Sequence, residues 1–168
     1  MLLKIEADQS DVCVCGTRVE NEDGVLIRTS TNSFSTFTTN TPYRCSINHF
    51  PVVTPKDVHH LHLSDSWDKL YRTSFLKEKR MAFFMKKGLN RTDTLFNQIL
   101  FLYSPLYSSI KDEEYIHVIY SKSATHRKNR DLLSSFQIII SKLIEVSKDL
   151  GLYDSQVHYI KNYMPYIY

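Results

Sequence analysis

The stretch KDVHHLHLSDSWDKLYRTSFLKEKRMAFFMKK, Lys56–Lys87, changes its repeat partway along. Asp57 to Leu63 reads as a strand, with β-branched and apolar residues alternating around histidines. From Ser64 the spacing becomes helical. Ser64 or Asp65 is a good N-cap, and steps of about 100° gather Trp67, Leu70, Tyr71, Met81 and Met85 into one apolar arc. The same steps gather Lys69, Arg72, Lys79, Arg80, Lys86 and Lys87 on another side, with Gly88 placed as a C-cap. The expectation is one long amphipathic helix with a basic outer face.

Upstream, the chain reads as strands. Leu2 to Ala7 and Val12 to Val19 carry apolar or β-branched residues, and Glu20 to Gly24 supplies turn residues before a returning strand, Val25 to Thr31. Ser33 to Thr41 is a Ser/Thr/Phe run suited to an edge strand or a loop, and Tyr43 to Asn48 adds a further strand. Pro51 and Pro55 punctuate the gap before Asp57 to Leu63.

Downstream, helices dominate. Asp93 to Tyr103 is an apolar helix stopped by Pro105, and Tyr115 to Tyr120 is the clearest strand of the second half. Asn129 to Leu150 repeats apolar residues at three and four positions and ends at Gly151; Ser155 to Tyr163 forms a short aromatic helix. The predicted fold is α+β: an N-terminal, mostly antiparallel sheet of five or six strands, then about four helices with one further strand at 115–120. One domain over residues 1–168 is expected, with a strand-rich half at 1–63 and a helix-rich half at 64–168.

Composition narrows the function classes. At 42% hydrophobic and 23% charged residues, the 168-residue chain lies in the globular range, outside the regime that stays disordered. Only four glycines are present, so neither Gly-rich phosphate loop occurs, which argues against P-loop and dinucleotide-binding enzymes. No apolar run is long enough for a secretory signal or a membrane span, and an odd count of three cysteines suits a reducing compartment. The expected location is therefore the cytoplasm, with no membrane partner.

The formal charge is only +3, so attraction to a polyanion has to come from clustering. The helix stripe, continued by Arg91 and by Lys122, Arg127, Lys128 and Arg130 in a later polar run, is a candidate phosphate-binding surface. Tyr71, Phe75 and Tyr120 are candidate stacking groups beside it. The expected partner is nucleic acid, and the expected protein a binding module without chemistry of its own. The same basic surface suits docking, as an inhibitor or accessory subunit, on a nucleic-acid-processing protein complex. The stretches Asp93 to Tyr103 and Ser33 to Thr41 are candidate interfaces, so a homodimer is one expected assembly.

A catalytic alternative starts at His60-Leu61-His62. On a strand, residues two apart share a face, so both imidazoles converge on one divalent metal such as Mg²⁺ or Mn²⁺. Near the C-terminus, Tyr159 and Tyr163 lie four apart on one helical face. His60-Leu61-His62 resembles the His-hydrophobe-His motif of the HUH endonucleases. The resemblance implies metal-dependent cleavage of single-stranded DNA, with His60 and His62 as ligands and Tyr159 or Tyr163 as nucleophile. A third ligand would come from His158, His117 or a carboxylate among Asp112, Glu113 and Glu114. Separately, Cys13, Cys15, Cys45 and His49 form a zinc-type donor set in two segments that adjacent strands would have to bring together. The plainer reading of Cys13 and Cys15 is as small buried strand residues.

Overall fold

A computed structural model describes residues 1–31, 36–38, 65–86, 89, 91–103, 105–121 and 132–153. The elements are, in order, α1 (Leu2–Ala7), β1 (Val12–Val14), β2 (Thr17–Asn21), β3 (Leu26–Ser30), β4 (Thr36–Thr38), β5 (Lys69–Tyr71), α2 (Thr73–Glu78), α3 (Thr92–Leu102), β6 (Leu106–Ser109), β7 (Tyr115–Ile119) and α4 (Leu132–Asp149). The fold is α+β. No described helix is long and apolar enough to cross a membrane.

The strands form two mixed sheets rather than the single, mostly antiparallel sheet expected. One runs β4-β6-β1-β5 and the other β3-β2-β7. β1 pairs parallel with β6 and antiparallel with β5, while β2 pairs antiparallel with β3 and parallel with β7. The strand-rich first half and helix-rich second half are therefore interleaved: three strands from residues 69–119 pair with strands of the first half.

Both sheets turn at one corner. β1 passes into β2 through Cys15-Gly16, and β6 into β7 through 110–114, with the Ile110 N–H donating to Val14 O and the Gly16 N–H to Asp112 O at 2.9 Å each. Only glycine fits there. A β-carbon on Gly16 would stand 2.7 Å from Lys111 O and 3.0 Å from Ser30 O.

β1 is buried along its whole length, which explains its apolar composition and its two strand neighbours. Its Val12 and Val14 join Phe96, Leu100 and Phe101 of α3 and Tyr107 of β6 in the core, with Tyr71, Phe75, Leu76 and Met81 packed around them. Each fully buried apolar side chain of this size contributes about 2 kcal/mol. α4 packs beside α3.

The hairpin β2–β3 matches expectation, with Gly24 in its turn at φ 78°. So do α3, α4 and β7, and Ser33 to Thr41 contributes the three-residue edge strand β4. Two segments differ. Leu2 to Ala7 is helical, not extended, and Val12 to Val19 is broken at the corner into two strands. The larger correction is the long helix: Lys69 to Tyr71 is a strand, and α2 covers six residues only. β1 needs a partner on each side, and antiparallel pairing of Val12 with Tyr71 and Val14 with Lys69 supplies one. That tertiary pairing overrides the local helical pattern.

α2 then ends in a Schellman motif. Arg80 takes the left-handed conformation at φ 52°, its N–H donates to Lys77 O at 3.1 Å, and the Met81 N–H to Leu76 O at 2.8 Å. Met81 to Lys86 has no regular structure. The same motif closes α1 at Gln9 and α4 at Gly151. The expected strands at 43–48 and 57–63 and the expected helix at 155–163 lie outside the described residues.

Candidate nucleic-acid interface

Losing the long helix disperses the expected basic stripe. Lys69 is turned inward on β5. Its side chain is fully buried, and its ammonium donates at 2.5 Å to the Asp68 carboxylate, itself 4% exposed, and to Asp65 O. A buried ion pair with a further carbonyl acceptor is satisfied internally and has nothing to offer a phosphate. Arg72 is likewise committed: Nε donates to Ser10 O and Nη2 to Ile5 O, each at 2.8 Å, so its fork clamps α1 and the turn before β1 to the end of β5. Lys69 and Arg72 are thus structural. Lys79 pairs with Glu78 at 2.8 Å and lies over the Phe75 ring at 5.8 Å.

Three cations of the expected set remain on the surface. Arg80, Lys86 and Arg91 are exposed, and none forms an ion pair with another described residue. Arg91 also sits over the ring of Phe136 on α4, at 5.3 Å. Lys87, Lys122, Arg127, Lys128 and Arg130 lie outside the described residues.

These cations frame the irregular segment that follows α2. Phe83 is 48% exposed and stacks on Phe96 with centroids 4.4 Å apart and planes 15° apart. Phe96 is a core residue held edge-on by Tyr71 at 5.6 Å, so the outer ring rests on a fixed base. Phe84, next along, helps line a groove of about 470 Å³ against α4, with Lys86, Gln137, Ile138, Ser141, Lys142 and Glu145 among its walls. Lys142 lies over Phe84 at 5.9 Å and pairs with Glu145. The segment thereby joins α3 to α4, and Lys86 and Lys142 face one groove.

Of the expected stacking groups, Tyr120 is exposed, at 56%. Phe75 packs against the core. Tyr71 donates its hydroxyl to Asn97 Oδ1 at 2.7 Å, and burial pushes its phenol well above the usual range. Phe83 was not among the expected groups. A signal for it exists: Met81-Ala82-Phe83-Phe84-Met85 is an unbroken apolar run, which no single helical stripe accommodates.

The residues of the other expected sites are only partly described. His60, His62, Tyr159, Tyr163 and His158 fall outside the described residues, as do Cys45 and His49. His117 stacks on Trp67 at 5.2 Å, beside Tyr115 at 4.5 Å, and Glu113 lies 3.8 Å from Arg18. Cys13 and Cys15 are buried, with different neighbours: Ser108 hydrogen-bonds to the first, and the second donates to Asp68 O at 3.4 Å. Burial raises both thiols above their ordinary value. No group of three or more His, Cys, Asp or Glu with metal-binding geometry occurs among the described residues. No protein-family model matches the chain, and no curated protein matches it in sequence.

Proposed function

We propose that the protein is a nucleic-acid-associated binding module without catalysis of its own, and that it engages its ligand through Arg80 to Lys86, Arg91 and the adjoining face of α4. One observation carries this reading. Lys86 and Lys142 line the same groove as Phe84, while Arg80, Lys86 and Arg91 have no carboxylate partner among the described residues. Exposed cations interleaved with aromatic side chains suit a chain of phosphates and bases. Among the described residues of the groove wall Glu145 is the one acidic side chain, and Lys142 pairs with it.

The test is binding of fluorescent oligonucleotides across a salt series. Affinity should fall linearly in a log-log plot, and the triple variant Arg80→Glu, Lys86→Glu, Arg91→Glu should abolish it while leaving the thermal transition in place. Each phosphate contact removed singly should reduce the slope by roughly 0.7 to 0.9. Absent or salt-insensitive binding would reject the reading and point to an acidic protein partner.

A further inference from the structure

Phe83 offers a ring with one face seated and the other open. The seated face lies against Phe96, whose own position is fixed by the core around Val12, Leu100 and Tyr107. Close, near-parallel stacking on one side together with 48% exposure leaves the opposite face to solvent. A large aromatic face left in water forgoes the stabilisation that burial would give it. Neighbouring Met85, 79% exposed, extends the apolar surface. Charges bracket it in the chain: Arg80 lies three residues before Phe83 and Lys86 three residues after, both exposed.

We infer that Phe83 is a stacking platform for an unpaired base, so that the ligand of this surface is single-stranded nucleic acid. The inference rests on the functional reading above and adds the class of nucleic acid to it. A duplex conceals its base faces within the stack, so a ring presented flat to solvent has nothing to cover there. A single strand offers a base face to Phe83 and places its flanking phosphates within reach of cations on either side. Phe84 supports the arrangement from behind. It turns to the α4 groove under Lys142 and so anchors the backbone that presents Phe83. Stacking on an aromatic face is tolerant of base identity, so little sequence preference is expected.

The experiment compares three labelled ligands by fluorescence anisotropy at low salt: a twelve-nucleotide single strand, a strand of the same length with abasic sites throughout its centre, and the corresponding duplex. Phosphate number is matched between the two single strands, so their difference reads the bases alone. The base-bearing strand should bind about tenfold more tightly than the abasic one. Phe83→Leu should remove that difference without weakening abasic binding, and Phe83→Trp should preserve it. A circular-dichroism melt of each variant separates a lost platform from a lost fold. Equal binding of the base-bearing and abasic strands, a preference for duplex, or a parallel loss of both affinities in folded Phe83→Leu would overturn the platform and leave the broader reading standing. Failure of all three ligands to bind would overturn both, and would assign the exposed aromatic to a protein contact.

Discussion

Gly16 and Lys111 meet so closely at the corner joining the two sheets that a β-carbon on Gly16 would stand 2.7 Å from the Lys111 carbonyl oxygen. Both neighbours are backbone on strand-to-strand connections, so neither can swing aside. Gly16→Ala should therefore force the connections apart, at about 1 to 3 kcal/mol of stability. Chemical denaturation should report this as a lower midpoint with an unchanged slope, whereas Gly24→Ala, with no neighbour within 4 Å, should suffer only from its positive φ.

Lys69 and Asp68 make a second prediction. Lys69→Ala strips a buried carboxylate of its ammonium partner and should cost about 3 to 5 kcal/mol. The exposed Lys77→Ala should stay within about 0.5 kcal/mol. Thermal melts of the two variants check the contrast, and a near-neutral Lys69→Ala would return that lysine to the surface.

Arg80 couples stability to binding in opposite senses. Its left-handed backbone at φ 52° is a conformation that costs a residue with a β-carbon about 1 kcal/mol, and glycine is the usual occupant of that position in a Schellman motif. Arg80→Gly should raise the melting temperature by a few degrees while weakening oligonucleotide binding. Calorimetry and anisotropy on the same preparation decide it; a variant that loses both would mean the side chain also holds the turn together.

Tyr71 and Tyr107 set the alkaline limit. Burial is the leading cause of the upward shift of both phenols, which favours their protonated form in the folded state. The unfolded chain releases these protons near pH 10, so the stability they contribute is intact below that value and declines as pH rises beyond it. Tyr107→Phe should flatten the decline between about pH 10 and 12, followed by tyrosinate absorbance and circular dichroism together. Ionisation of all the tyrosines near pH 10 with the fold intact would contradict it.

Local signals in the sequence specified some elements well and misplaced others, and the reasons are physical. The apolar spacing of Leu95, Phe96 and Leu100 or of Ile139 and Val146 marks helices because those faces do pack inward. Gly24 and Gly151 mark their turns because they take positive φ, as glycine does readily. Gln9 and Arg80 end α1 and α2 in the same conformation without glycine, so neither end was legible. Leu70 and Tyr71 fit a helical arc as well as a short strand, and only the demand of buried β1 for a second neighbour decides between them. The basic surface followed that error. Lys69 and Arg72 belong to a stripe that needs a helix continuing past Glu78, and on such a helix Phe83 falls within the basic arc rather than the apolar one, which hides it as a stacking group.

The parallel pairing of Val12 with Tyr107 links positions nearly a hundred residues apart, and β2 waits equally long for β7. During synthesis, therefore, the most apolar ribbon near the start of the chain leaves the ribosome well before its neighbour exists. Until then one edge of Val12 to Val14 stays open and sticky, even once β5 has covered the other. Closing so large a loop also slows spontaneous assembly relative to a helical protein of equal length. Nascent chains of this protein should thus depend on a holding chaperone until residue 119 or so has emerged.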